Sequence, residues 1–176
     1  MKNYSVFIII ISIIAFTVYS PDIFTQSVTF DKTFGTSSSS MGLEVHELPN
    51  GEFLIVGVIT SISAYVYLLK ATSDGQLIWE KKPGIGGSAG ISFTLTDNGY
   101  IIAGTTYRPG HTDYDIYILR LNSNGDTLST KIIGGSGNQH SSKIIQTLDN
   151  GYVIVGWTEE SSGIPLLKLN RNGDIE

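Results

Sequence analysis

The stretch that decides the fold is IYILRLNSNGDTLSTKIIGGSGNQHSSKIIQTLDNGYVIVGWT, residues Ile116 to Thr158. It consists of short runs rich in Ile, Val, Tyr and Leu, broken by Asn-Gly and Gly-Gly-Ser-Gly. No window places apolar residues at intervals of three and four over ten residues, so the helical pattern is missing. The Asn-Gly pairs supply the positive φ angles that tight hairpin turns require. The segment therefore reads as β-strands joined by hairpins.

Outward from it, the same pattern recurs. Asn-Gly stands at Asn50-Gly51, Asn98-Gly99 and Asn150-Gly151, each time before an apolar run that closes on Gly57, Gly104 or Gly156. A second series follows: YVYLLKATSDG, IYILRLNSNG and PLLKLNRNG, with Lys70, Arg120 and Lys168 five positions before Gly75, Gly125 and Gly173. Those three glycines are 50 and 48 residues apart. Lys81 and Lys131 each follow their turn glycine by six residues. Each unit holds four strands; in the second they are about Ile91–Thr96, Tyr100–Thr105, Asp115–Asn122 and Thr127–Ile133. Four antiparallel strands at this period mark a β-propeller blade. Gly57, Gly104 and Gly156 are expected at the end of the second strand, where they let a neighbouring backbone approach or seat a bulge. The fold expected is all-β: a propeller-like array of about three four-stranded antiparallel blades, incomplete and open.

The quoted stretch resembles the bacterial SBBP-type β-propeller repeat, in which a Lys-Leu-Asn-x-x-Gly hairpin leads to a strand, a Gly-Gly-x-Gly linker and a further hairpin. The resemblance covers residues 41 to 173. Gly134, Gly135, Ser136 and Gly137 match the linker; Gly84, Ile85, Gly86 and Gly87 match it more loosely. It implies architecture and an extracellular or cell-surface setting in long bacterial proteins, and brings no catalytic motif.

Residues 1–27 read as an export signal: Lys2, then an apolar run from Val6 to Val18, then Pro21 and Asp22. Cleavage near Thr25–Gln26 is favoured over Ser20, which Pro21 follows directly. The run is shorter than the roughly 20 residues needed to span hydrocarbon, so contact with a membrane is expected only through this signal. The expected location is the medium or the cell envelope.

The mature N-terminus, Ser27 to Gly35, aligns with the last strand of each unit: Lys32 falls on Lys81 and Lys131, and Phe30 on Trp79. Residues 28–40 thus read as an isolated last strand. They are followed by repeat 1 (41–88), repeat 2 (89–139) and repeat 3 (140–176), which lacks its last strand. Two accounts fit. The chain is a segment of a longer protein, the favoured one, or identical copies complete a ring with the N-terminal strand closing the third blade.

Composition narrows function. Eleven basic against 16 acidic residues give a net charge of −5, opposed to the basic face a nucleic-acid binder needs. The absence of Cys excludes disulfide scaffolds and thiolate metal sites. His46 on a first strand, His111 in a long loop and His140 in a linker show no metal-ligand spacing. Asn122, Asn124 and Asp126, like Asn170, Asn172 and Asp174, have the alternation of a calcium loop without its downstream Glu. They read instead as polar hairpins that bond their own backbone. Trp79 reads as edge packing. No cofactor or metal is expected.

The candidate binding residues are Tyr107, Arg108, Asp113 and Tyr114, in the longest inter-strand loop, where propellers commonly carry binding surfaces. The acids fall mostly in turns rather than as a facing pair, which speaks against glycoside hydrolysis. The expected function is a non-enzymatic interaction or structural module with a protein or glycan ligand. A lectin-like propeller is the alternative, and a propeller-based glycosidase or lyase the second alternative.

Overall fold

The computed structural model describes residues 30–35, 39–107, 110–159 and 164–176. The export-signal reading of residues 1–27 lies outside the described residues, as does Arg108. Among the described residues eleven strands follow one another and no helix occurs.

They form three antiparallel sheets. The first contains β1 (Ser39–Glu47), β2 (Phe53–Thr60), β3 (Ala64–Ala71) and β4 (Leu77–Lys81). The second contains β5 (Ser88–Thr96), β6 (Gly99–Tyr107), β7 (Tyr114–Asn122) and β8 (Thr127–Ile133). The third contains β9 (Gln139–Gln146), β10 (Tyr152–Thr158) and β11 (Leu166–Leu169). In each sheet the strands lie side by side in chain order, and none closes on itself. This is the open, propeller-like array of blades that the repeat implies. In repeat 2 all four expected strands are present; β5 starts three residues earlier than the pattern suggested and β8 has the expected bounds.

Three differences stand out. Residues 30–35 pair with no described strand, and Ser39 and Ser40 belong to β1 rather than to a preceding strand. Ser39 and Ser40 lie far enough along β2 to pair with it, opposite Thr60 and Ile59. Gly57, Gly104 and Gly156 lie inside β2, β6 and β10, not at their ends. Each sits beside a register shift in the first strand of its blade. A Cβ on them would stand 2.0 Å from the carbonyl oxygen of Met41, 1.9 Å from that of Ala89 and 1.8 Å from that of His140. The bulge brings backbone against backbone, so these glycines do have the packing role expected of them. His140, expected in the linker, lies on β9, because the ladder continues past it to Gln139 opposite Thr158.

The core follows from the period-2 alternation of the middle strands. Leu54, Val56, Val66 and Leu68 of sheet 1 pack against Phe93, Tyr100, Ile102, Tyr117, Leu119 and Leu121 of sheet 2. The intervening residues of sheet 2, Ile101, Ala103, Ile116 and Ile118, face the other way. They meet Ile144, Tyr152, Ile154 and Leu169 of sheet 3. Sheet 2 is thus buried on both faces.

Polar links cross the same junctions. Lys81 on β4 pairs with Asp126 in the β7–β8 turn at 2.5 Å, and Lys131 on β8 pairs with Asp174 in the corresponding turn of repeat 3. At the edge formed by the first strands, the Glu44 carboxylate accepts the Phe93 N–H at 2.6 Å and pairs with Lys143 of β9. One side chain thereby touches all three repeats. Ser92 holds the same place on β5 and accepts the Ile144 N–H at 3.2 Å.

Candidate functional site

Tyr107 and Tyr114 are the closing pair of the β6–β7 ladder. Pairing directly opposite, their rings lie 4.1 Å apart at 35°, and the Tyr107 hydroxyl donates to that of Tyr114. That bond, with burial, raises the Tyr114 phenol above its ordinary value. His140 and Trp157 are cross-strand partners in repeat 3. The His140 ring is 5.0 Å from Tyr114 and stacks on the Trp157 indole at 3.9 Å and 14°. Four rings therefore form a line from repeat 2 into repeat 3. Burial holds the His140 imidazole below its ordinary value, opposed by the charge of Glu159. A neutral ring costs less to desolvate when stacked.

Asn138 anchors this line. Its Oδ1 accepts the Tyr114 N–H at 2.8 Å, and its Nδ2 donates to Glu159 at 2.6 Å. Tyr107 and Trp157, at 44% and 48% exposure, present aromatic surface to solvent. A shallow groove of about 360 Å³ runs beside the tyrosines, walled by Ile62, Ser63 and Ala64 of repeat 1 and by Ala89 and Thr105 of repeat 2.

Of the residues singled out from sequence, Tyr107 and Tyr114 come together. Asp113 is half-buried, bonded to Thr112, and makes no ring contact. Sequence reasoning missed His140, Trp157, Asn138 and Glu159. The available signal was register: Gly156 opposite Ser141 makes Trp157 face His140.

The hairpins are built as expected. Asn122 Oδ1 accepts the N–H groups of Asn124 and Asp126 at 3.0 and 2.9 Å. Asn170 Oδ1 does the same for Asn172 and Asp174 at 2.8 and 3.0 Å. Of the oxygens that resembled a calcium loop, those of Asn122 and Asn170 are turned onto the backbone, and the carboxylates of Asp126 and Asp174 onto Lys81 and Lys131. Among the described residues no three His, Asp or Glu side chains gather as a metal site would need. Trp79 packs at the junction of repeats 1 and 2, half-buried against its core.

A second concavity lies on the free face of repeat 1. It is an apolar groove of about 520 Å³ lined by Val45, Phe53, Ile55, Tyr67, Leu69 and Ala71, with Phe30 and Phe34 over it. Burial, then a hydrogen bond donated to Glu80, pushes the Tyr67 phenol strongly up. The chain matches no family model and no curated protein.

Proposed function

We propose that this chain is an exported, non-enzymatic interaction or structural module, a propeller segment of a larger extracellular or cell-surface bacterial protein built from SBBP-like repeats. One observation carries the reading. Val153, Val155, Ile164 and Leu166 of repeat 3 are the counterparts of the four residues that repeats 1 and 2 bury in the next sheet. Leu166 is 70% exposed and Ile164 82%, whereas none of those buried counterparts exceeds 6%. An apolar face of this kind marks an interaction surface. The chemistry of the acids agrees: Asp126, Asp149 and Asp174 are occupied by Lys81, Lys168 and Lys131.

A photo-crosslinking amino acid at position 166, in the chain expressed in an exporting bacterium, tests the module reading. A discrete protein adduct supports it; a folded, exported chain without any adduct overturns it. Mass spectrometry of the N-terminus tests export: loss of about the first 26 residues is expected, and an intact leader in a cytoplasmic chain refutes it.

A second reading, glycan binding, is favoured by the ring line Tyr107–Tyr114–His140–Trp157. Exposed aromatic faces beside the Glu159 carboxylate and the Asn138 amide suit the apolar face and hydroxyls of a sugar. Glycan-array binding that disappears in Tyr107→Ala supports it; no bound glycan removes it.

A further inference from the structure

Each internal junction joins two unlike faces. The giving face is Leu54, Val56, Val66 and Leu68 in repeat 1, and Ile101, Ala103, Ile116 and Ile118 in repeat 2. Register fixes the equivalence: Val56, Ala103 and Val155 precede the three bulge glycines, and they pair with Leu68, Ile118 and Leu166. The receiving face is Phe93, Tyr100, Ile102, Leu119 and Leu121 in repeat 2. Repeat 3 uses Ile144, Tyr152, Ile154, Leu167 and Leu169 in the same places.

Two faces are left over, one of each kind. Among the described residues repeat 3 exposes a giving face, and repeat 1 keeps its receiving face as the groove of about 520 Å³, in whose walls Val45 is exposed while Leu69 and Ala71 are buried with Phe34 packed against them. Its walls are apolar, as are the receiving faces of repeats 2 and 3.

Residues 30–34 say what else the occupant meets. Trp79, from the outer strand of repeat 1, covers Gly125 of repeat 2; Phe30 covers Gly75 of repeat 1 in the same manner. The segment around Phe30 therefore lies where the outer strand of a preceding blade would lie. In repeat 3 the far edge of β11 carries one bridge, Leu169 to Ile175, in the place of Leu121 opposite Thr127 in repeat 2. The rest of that edge meets no described strand.

We propose that the outward face of repeat 3 docks on the repeat 1 groove of a second copy of this chain. Residues 30–34 of that second copy then pair along the free edge of β11 as the blade's outer strand. The proposal rests on the interaction-surface part of the module reading and takes the ring account of the closing strand, in which identical copies complete the third blade. The contact is head-to-tail, so copies add in one direction and close into a ring if the rotation permits. Because Lys81 pairs with Leu68 and Lys131 with Ile118, Lys32 of one copy faces Leu166 of the other.

The chain has no cysteine, which makes this register testable. Lys32→Cys and Leu166→Cys chains are mixed and mildly oxidised, with Asp113→Cys in place of Lys32→Cys as the control. Opposed residues of an antiparallel pair lie within disulfide reach. A mixed disulfide at least tenfold more abundant than the control is expected. Sedimentation velocity should show concentration-dependent association of the unmodified chain, lost in Leu166→Glu and in Val155→Asp with the circular dichroism unchanged. A chain that stays monomeric, or a disulfide yield equal to the control, overturns the proposal. So does a position-166 photo-adduct made only to a different protein, an outcome that leaves the module reading standing.

Discussion

Trp79 closes over Gly125 of the following repeat: a Cβ placed on Gly125 would lie 2.9 Å from the tip of the indole. The outer strand of one blade thus clamps the hairpin of the next. Phe30 holds Gly75 in the same way, with a Cβ there 2.5 Å from its ring.

Gly125→Ala is expected to destabilise the chain by about 2 kcal/mol, because it combines left-handed backbone at φ +80° with a collision against Trp79. Trp79→Ala should cost about 2–3 kcal/mol through lost burial at the junction. Urea unfolding of the two single variants and the double variant measures both. Since they share one contact, the double variant should fall short of the sum.

Gly104→Ala should be much worse, above about 3 kcal/mol, since the new methyl would sit 1.9 Å from a backbone oxygen that the bulge fixes in place. Gly135→Ala, which meets no atom within 4 Å, should change stability by less than about 0.5 kcal/mol. Equal thermal midpoints for the two variants would remove close approach as the reason for the bulge glycine.

Glu44→Ala should cost about 2 kcal/mol by leaving the Phe93 N–H without its acceptor and Lys143 without its partner. Hydrogen exchange reads this locally: the Phe93 amide should exchange faster in Glu44→Ala and recover in part in Glu44→Gln. Unaltered exchange at Phe93 would mean that the carboxylate does not join the repeats in solution.

Acid should loosen the repeats. Lys81 and then Asn122 lower the Asp126 carboxyl below its usual 3.8. Lys131 lowers Asp174, and Lys168 with Thr147 lowers Asp149 strongly. Folded values below the unfolded one bind fewer protons, so this stability is complete above the unfolded value. It is lost as pH falls from about 3.8 through the folded values. Asp126→Asn combined with Asp174→Asn should flatten the fall in thermal midpoint over that range, and a variant tracking the parent would contradict the assignment.

How much of this was legible depends on whether the signal is local. Asn98-Gly99 and Asn122 to Asp126 specify hairpins from adjacent residues, and the unbroken apolar run Ile101, Ile102 and Ala103 suits a strand buried on both faces; both are visible in one line of sequence. Repetition supplied more, since it aligned Phe30 with Trp79; that each ring covers a turn glycine appeared only in the structure. The ring line was only half legible. Tyr107 and Tyr114 are brought together by one hairpin, but His140 reaches Tyr114 from another sheet, and no local pattern encodes that approach.

That the chain is β, that its units repeat and where its hairpins turn can be read from the residues alone, because turn chemistry and short apolar runs act between residues a few positions apart. Which face of each sheet meets which neighbour is settled by packing in three dimensions. The reason is that side chains on both faces of these strands are equally apolar, and the choice falls to packing and to contacts such as Lys81 with Asp126 that span tens of residues. Among the described residues the giving face of repeat 3 is left uncovered, which becomes apparent only once the two internal junctions have formed.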